Sequence, residues 1–191
     1  MKKNVMSRIP TPASIEAAPE KSQPLLEAVQ KQLGIVPNMF RAISNSPAAL
    51  EGYLGLNGAL AKGALEAPTR ERIALAIAEF NACDYCLSAH TYLGKNLSKL
   101  SDAEIAANRD GGSTDAKADA AVRFAVKVAE TRGHPSEADL QAVKQAGYTD
   151  AQVMEIVLHV ALNTLTNYVN ETIKTEIDFP VVTARAQQEA A

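Results

Sequence analysis

Apolar residues recur at intervals of three and four along most of the chain, and β-branched residues do not cluster in alternating runs. That period predicts helices joined by short breaks. Residues 1–20 carry Pro10, Pro12 and Pro19 with no periodic apolar pattern, and read as an extended arm. A first helix is predicted from Pro24 to Leu33, stopped by Gly34. A short one follows Val36-Pro37 and runs to about Ser44. Ser46-Pro47 supplies an N-cap and a first-turn proline for a helix to about Lys62, which Gly63 ends. Pro68 opens the next. Its Ile73, Leu75, Ala76, Ile77 and Phe80 cover much of the circumference, which predicts a central, buried element. The pattern falters at Asn81 and resumes from about Cys83 to Leu93, closed by Gly94. Ser101 to Glu104 reads as a capping box before a short helix, and residues 110–113 as a loop. Helical spacing returns at Val122, Phe124, Ala125 and Val128 and breaks at Gly133. Pro135-Ser136 starts another helix, ended by Gly147. Thr149 to Gln152 is a second capping box, opening the longest helix with Val153, Ile156, Val157, Val160 and Val169 as candidate core. Phe179-Pro180 terminates it, and residues 181–191 read as a frayed tail.

Composition agrees with an all-α fold. Of 191 residues 34 are alanine, the best helix former, and there is no tryptophan. Low aromatic content limits what one subunit can bury, so a homo-oligomer is expected. The net charge of −3 lacks the basic excess of a nucleic-acid binder. No apolar run approaches the roughly 18 residues that span a bilayer. The basic start, Met1-Lys2-Lys3, has no apolar stretch behind it, so no secretory signal is read and a cytoplasmic location is expected.

The chemistry concentrates in Asn81-Ala82-Cys83-Asp84-Tyr85-Cys86-Leu87-Ser88-Ala89-His90, a C-x-x-C-x-x-x-H pattern. On a helix these positions share one face, and Cys86 and His90 are neighbours one turn apart. The imidazole can then accept the Cys86 proton. A thiol beside a histidine or in the first turn of a helix has a depressed pKa. Asp84 works against that effect. A disulfide needs Cβ atoms roughly 3.8 Å apart, closer than mid-helix neighbours three residues apart. Cys83 must therefore lie at or before the first helical residue, and the break at Asn81-Ala82 supplies the freedom.

Other readings of the same residues stand beside this one. Cys83, Cys86 and His90 could ligate zinc, but no fourth ligand sits at a suitable spacing, since His134 and His159 are the only other histidines. Haem attachment needs histidine directly after the second cysteine, where this chain has Leu87. Both thiols could also be inert core residues. No metal and no cofactor is therefore expected.

The chain resembles the alkylhydroperoxidase D-like proteins of the carboxymuconolactone decarboxylase superfamily, in their peroxidase-related branch. The resemblance rests on Glu71 twelve residues before Cys83, on the N-x-C-x-Y-C run at 81–86, on Gly34 to Phe40, and on the segment from Leu158 to Asn170. It covers about residues 30 to 180. It implies an AhpD-like helical bundle that assembles as trimers or hexamers, and a dithiol peroxidase acting on hydroperoxides. By that likeness Cys86 is the peroxidatic nucleophile, Cys83 resolves it, His90 is the base and Glu71 belongs to a proton relay. A lipoyl or thioredoxin-like dithiol would be the reductant. Early members of the family carry a histidine between the cysteines, where this chain has Tyr85.

The expected organisation is an arm at 1–20, a helical domain at 21–180 with the redox motif at 83–90, and a tail at 181–191. Glu71 could instead simply favour a helix dipole. Glu79, one turn before Cys83, is a second candidate acid, with a solvated surface role as its alternative. Tyr85 is a possible relay or pocket residue. His159 reads as a satisfied core histidine. Asn163, Asn167 and Asn170 form a polar stripe for a subunit interface or, failing that, a pocket. Two other functions fit the motif: a non-enzymatic redox sensor or scaffold, and a lactone-handling enzyme with incidental cysteines.

Overall fold

In the computed structural model, which describes residues 7–185, the chain is all helical. Among the described residues a 3₁₀ turn at Glu20–Ser22 leads into nine α-helices: α1 Gln23–Leu33, α2 Asn38–Ile43, α3 Pro47–Leu60, α4 Ala67–Phe80, α5 Asp84–Asn96, α6 Asp102–Arg109, α7 Ala116–Glu130, α8 Glu137–Gln145 and α9 Asp150–Ile173. The described residues contain no strand. None of these helices is long and apolar enough to cross a membrane.

The helix ends follow the local chemistry. Ser46 accepts the amide of Ala49 and Pro47 fills the first turn of α3. Thr149 and Gln152 close a complete capping box on α9, and Ser136 with Asp139 does the same on α8. Gly34 ends α1 in the left-handed region (φ 77°), which glycine enters without a side-chain clash.

α4 is the hub, packed against α5, α6, α7 and α9. One apolar cluster lies on its Leu75 side and includes Leu26, Leu50 and Leu87. A second lies on its Ile73 and Ile77 side with Val122, Phe124 and Ile156. Burying one such aliphatic side chain stabilises the fold by roughly 1.5–3 kcal/mol, which is why the apolar faces of these helices turn inward together.

Five expectations need correcting. Phe80 is 48% exposed, because α4 turns away from the core at its last residue. Gly94 does not end α5, which continues to Asn96; the Leu100 side chain packs against that glycine, where a Cβ would stand 3.3 Å from it. Ser101 caps α6, but Glu104 does not return the bond. It turns inward to Arg72 Nε (2.7 Å), Asn108, Ser113 and Thr114. Those hydrogen bonds outweigh its burial and hold its carboxyl at about 2. α9 ends at Ile173, before Phe179-Pro180, with Lys174 left-handed.

The fifth concerns the region read as a tail. Residues 181–185 lie along α5 as a strap. Ser88 Oγ accepts the amide of Val182, Asp84 Oδ1 that of Ala184 and Glu79 Oε1 that of Arg185, and Ala184 is fully buried. On the other side, the arm bonds to the end of α9 through Arg8 N to Ile173 O (2.7 Å). The expectations for residues 1–6 and 186–191 lie outside the described residues.

Candidate active site

The site begins with how α4 stops. Cys83 N donates to Ala78 O (2.9 Å) and Ala82 N to Glu79 O (3.0 Å), with Ala82 at φ 52°. These two bonds around a left-handed residue form a Schellman motif, here with alanine where glycine is usual. The turn folds α5 back along α4, so residues twelve and more apart in sequence become neighbours. Cys83 then serves as N-cap of α5. Its Sγ accepts the amide of Cys86 at 3.4 Å, the position that disulfide geometry requires.

The fold-back brings Glu71 to His90, whose Nδ1 lies 2.9 Å from Glu71 Oε2. Glu71 and His90 are nineteen residues apart, roughly 28 Å along a straight helix, so only the turn makes this contact. Glu79 faces elsewhere. It pairs with Arg109 Nε at 2.5 Å and accepts the Arg185 amide, so it is neither at the thiols nor solvated. Tyr85 Oη accepts from Met39 N (3.1 Å) and donates to Asp178 Oδ1 (2.8 Å), which fixes its ring against Phe179.

Both thiols are free and buried, Cys83 completely and Cys86 to 3% exposure. Their electrostatics diverge. Cys86 is pulled down to about 6, first by a hydrogen bond from the Cys83 thiol and then by His90 and the amides of Asn170 and Asn167, against the opposing effect of burial. Cys83 is pushed up, because its proton is held on Cys86 and because it is buried. Burial is the largest influence on His90 and disfavours its charge. The carboxylate of Glu71 and the Cys86 thiolate together outweigh it and raise the imidazole above its ordinary value. The arrangement favours a Cys86 thiolate beside a protonated His90, with Cys83 kept as the neutral thiol.

The asparagine stripe was expected first at a subunit interface. In the structure Asn167 and Asn170 face Cys86 instead, and Asn163 bonds to His159 O and lines the cavity. Asn170 Nδ2 donates to Cys86 Sγ at 3.3 Å, and Asn81 Nδ2 donates to Asn167 Oδ1 at 2.9 Å, orienting the second amide. All three asparagines are buried. Helical spacing identified the stripe but not the element it meets. An Asn170→Leu variant should show the Cys86 thiolate forming at higher pH than about 6, with slower alkylation below neutrality. Ultraviolet absorbance of the thiolate across a pH titration measures this, and an unmoved midpoint would remove Asn170 from the cradle.

Cys86 opens into a cavity of about 660 Å³. Glu71, His90 and Tyr85 line it too, whereas Cys83 does not. Tyr53 also lines it, unforeseen from sequence. Burial and then the nearby charges of Cys86 and Glu71 keep its phenol protonated. Its only sequence signal is that it is the single aromatic residue of helix α3. His159 lines the cavity as well, and it is not the satisfied core residue expected: its Nε2 has no partner among the described residues. Among those residues no cluster of three histidines, cysteines or carboxylates is arranged to hold a metal ion.

The sequence profile of the carboxymuconolactone decarboxylase family matches residues 47–131, from α3 to the end of α7. No curated protein matches the chain. Among solved structures, the alkylhydroperoxidase AhpD core of a peroxidase-related protein from Ralstonia eutropha JMP134 is 28% identical, with a TM-score of 0.80 over 90% of this chain and 92% of that one. A peroxidase-related protein from Silicibacter sp. TM1040 is 24% identical, with a TM-score of 0.77 over 92% and 94%. The debrominase Bmp8 in complex with 2,3,4-tribromopyrrole is 19% identical, with a TM-score of 0.73 over 91% and 94%. The last two share the fold.

Proposed function

We propose, from the carboxymuconolactone decarboxylase profile over residues 47–131 and the likeness to the AhpD core structure, that the chain is an AhpD-like member of that superfamily and a thiol-dependent peroxidase. The observation that carries this reading is the split between the two thiols: Cys86 depressed to about 6 and open to a cavity, Cys83 raised and sealed behind it. A nucleophile and a resolving thiol need those opposite properties.

The proposed cycle uses this geometry. His90 takes the Cys86 proton, and Glu71 stabilises the imidazolium through Nδ1. The Cys86 thiolate attacks the terminal oxygen of the hydroperoxide, so an S–O bond forms and the O–O bond breaks. The leaving alkoxide receives the proton from His90 and departs as an alcohol. Cys86 is now a sulfenic acid. Removal of the thiolate charge also removes the larger of the two influences that raised Cys83, leaving burial, so Cys83 can attack the Cys86 sulfur with its proton passing to the departing hydroxyl. The S–O bond breaks, water leaves, and the disulfide forms. An external dithiol reduces it by exchange, becoming a disulfide itself. The sum is one hydroperoxide and one dithiol converted to alcohol, water and disulfide.

Steady consumption of an organic hydroperoxide with a lipoyl or thioredoxin-like dithiol donor tests this. A single oxidation with no recycling by any donor would instead indicate a redox sensor. The ring-lined cavity and the debrominase relative support a second reading, thiol-driven dehalogenation. Bromide release from 2,3,4-tribromopyrrole without hydroperoxide turnover would overturn the peroxidase in its favour.

A further inference from the structure

The cavity over Cys86 is mostly apolar, walled by Phe40, Tyr53, Tyr92, Leu93, Leu162 and Phe179. Its polar groups nearest Cys86 fall into two sets. Those of the first set are bonded within the protein: Glu71 holds His90, Asn163 and Thr166 bond to backbone carbonyls of α9, and Cys86 accepts from Asn170, which lies behind the lining. The second set, Arg70 and His159, lacks such partners.

Arg70 is partly buried, and its guanidinium makes one hydrogen bond, Nη1 to Leu60 O at 3.0 Å. Among the described residues it forms no ion pair. The other arginines buried to this degree are occupied. Arg72 meets Glu104 at 2.7 Å, Arg109 meets Glu79 at 2.5 Å, and Arg41 is taken up by the carbonyls of Pro12 and Ala13 and by Asn38. A guanidinium carries five N–H donors, and a cation withdrawn from water calls for an anion. Glu155, one turn before His159 on α9, cannot serve, since its oxygens are held by the amides of Ala64 (2.8 Å) and Leu65 (2.7 Å). His159 is 5% exposed with Nε2 unpartnered. Burial and then Arg70 lower it to about 4, so it is a neutral imidazole and a hydrogen-bond donor rather than a second cation.

We propose that Arg70 and His159 form a carboxylate-binding subsite in this cavity, and that its ligand is an amphiphile with an apolar body and one carboxylate. A single positive charge beside a neutral donor matches a monoanion, and the planar fork of arginine suits a carboxylate. His159 precedes Asn170 on α9 by eleven residues, roughly 16 Å of helix. The His159 side of the subsite is therefore offset along α9 from the Asn170 that holds Cys86, so the carboxylate and the group presented to Cys86 occupy different parts of the ligand. If the peroxidase reading above holds, on which this part rests, the substrate is a hydroperoxide with a remote carboxylate.

Binding of dodecanoic acid and of its uncharged methyl ester to the full chain tests the subsite without any redox chemistry. Displacement of Nile red from the cavity reports both. The acid should bind at least about tenfold more tightly than the ester, a difference of about 1.4 kcal/mol. Arg70→Met should bring the ratio close to one, and Arg70→Lys should retain part of the preference. Equal binding of acid and ester by the unaltered protein would overturn the subsite, as would a ratio that survives Arg70→Met. The two readings fail separately. Absence of hydroperoxide turnover leaves the binding contrast intact, and loss of the contrast with turnover present removes only the subsite.

Discussion

Cys86→Ser is expected to abolish hydroperoxide consumption, by roughly three orders of magnitude or more, as loss of a nucleophile does. Cys83→Ser is expected to behave differently. It should consume one equivalent of hydroperoxide and stop, with a sulfenic acid on Cys86 that mass spectrometry detects as one added oxygen. The contrast follows from position. Only Cys86 lines the cavity, only Cys86 has His90 one turn away, and only Cys86 is depressed to about 6. The serine at 83 also removes the thiol proton that stabilises the Cys86 thiolate, the largest of its favourable influences. Its hydroxyl can still donate, so the first equivalent should be reduced more slowly but completely. Pulse alkylation of the unaltered protein offers an independent check. Cys86 should be labelled first at neutral pH, and preferential labelling of Cys83 would reverse the roles.

Glu71→Gln should lower kcat by about 10²-fold, the lower range for a general acid–base group, with a smaller effect on KM. Glutamine cannot stabilise the imidazolium, so the pKa of His90 drops. His90 must be protonated to hand a proton to the leaving alkoxide. The alkaline limb of the pH–rate profile should therefore move to lower pH, while the acid limb, set by the Cys86 thiolate, should move above about 6 as the His90 charge that helps depress it is lost, so the profile narrows from both sides. Glu79→Gln should show the reverse. Its partner Arg109 is 15% exposed and Glu79 itself 11%, so breaking the pair leaves a largely buried cation. That costs about 3 kcal/mol, or roughly 6–12 °C in Tm for a chain of this size, with kcat little changed. Loss of activity in Glu79→Gln with Glu71→Gln unaffected in both rate and Tm would exchange the two carboxylates.

Much of this was legible in the chain because helix ends are local events. Ser46-Pro47, Thr149 with Gln152, and Gly34 each mark a boundary by chemistry within four residues. The redox motif was legible for the same reason, since Cys83, Cys86 and His90 lie within one helix and its cap. What spacing could not supply was the partner of each face. The asparagine stripe of α9 has the same period whether it meets another subunit or Cys86. Glu104 satisfies a capping-box pattern yet turns to Arg72, because an inward carboxylate beside a buried arginine outweighs one amide. Glu71 and Glu79 were both plausible by distance in sequence. The Schellman turn at Ala82 decided between them, and that turn lacks the glycine that would have announced it.

Cys83 holds two helices at once, its amide closing α4 and its sulfur capping α5. In the proposed cycle, the sulfur that caps is also the one consumed when the disulfide forms. In that bond it becomes a poorer acceptor for the Cys86 amide, just as Cys86 loses the charge that Asn170 and His90 were gathered to hold. The oxidised protein thus gives up a helix cap and an electrostatic well together, and relaxes toward the dithiol when a donor arrives. On the proposed reading, the same side chains that support the Cys86 thiolate and the α5 cap would favour the dithiol over the disulfide, so the oxidised protein would be the form readily reduced by a donor.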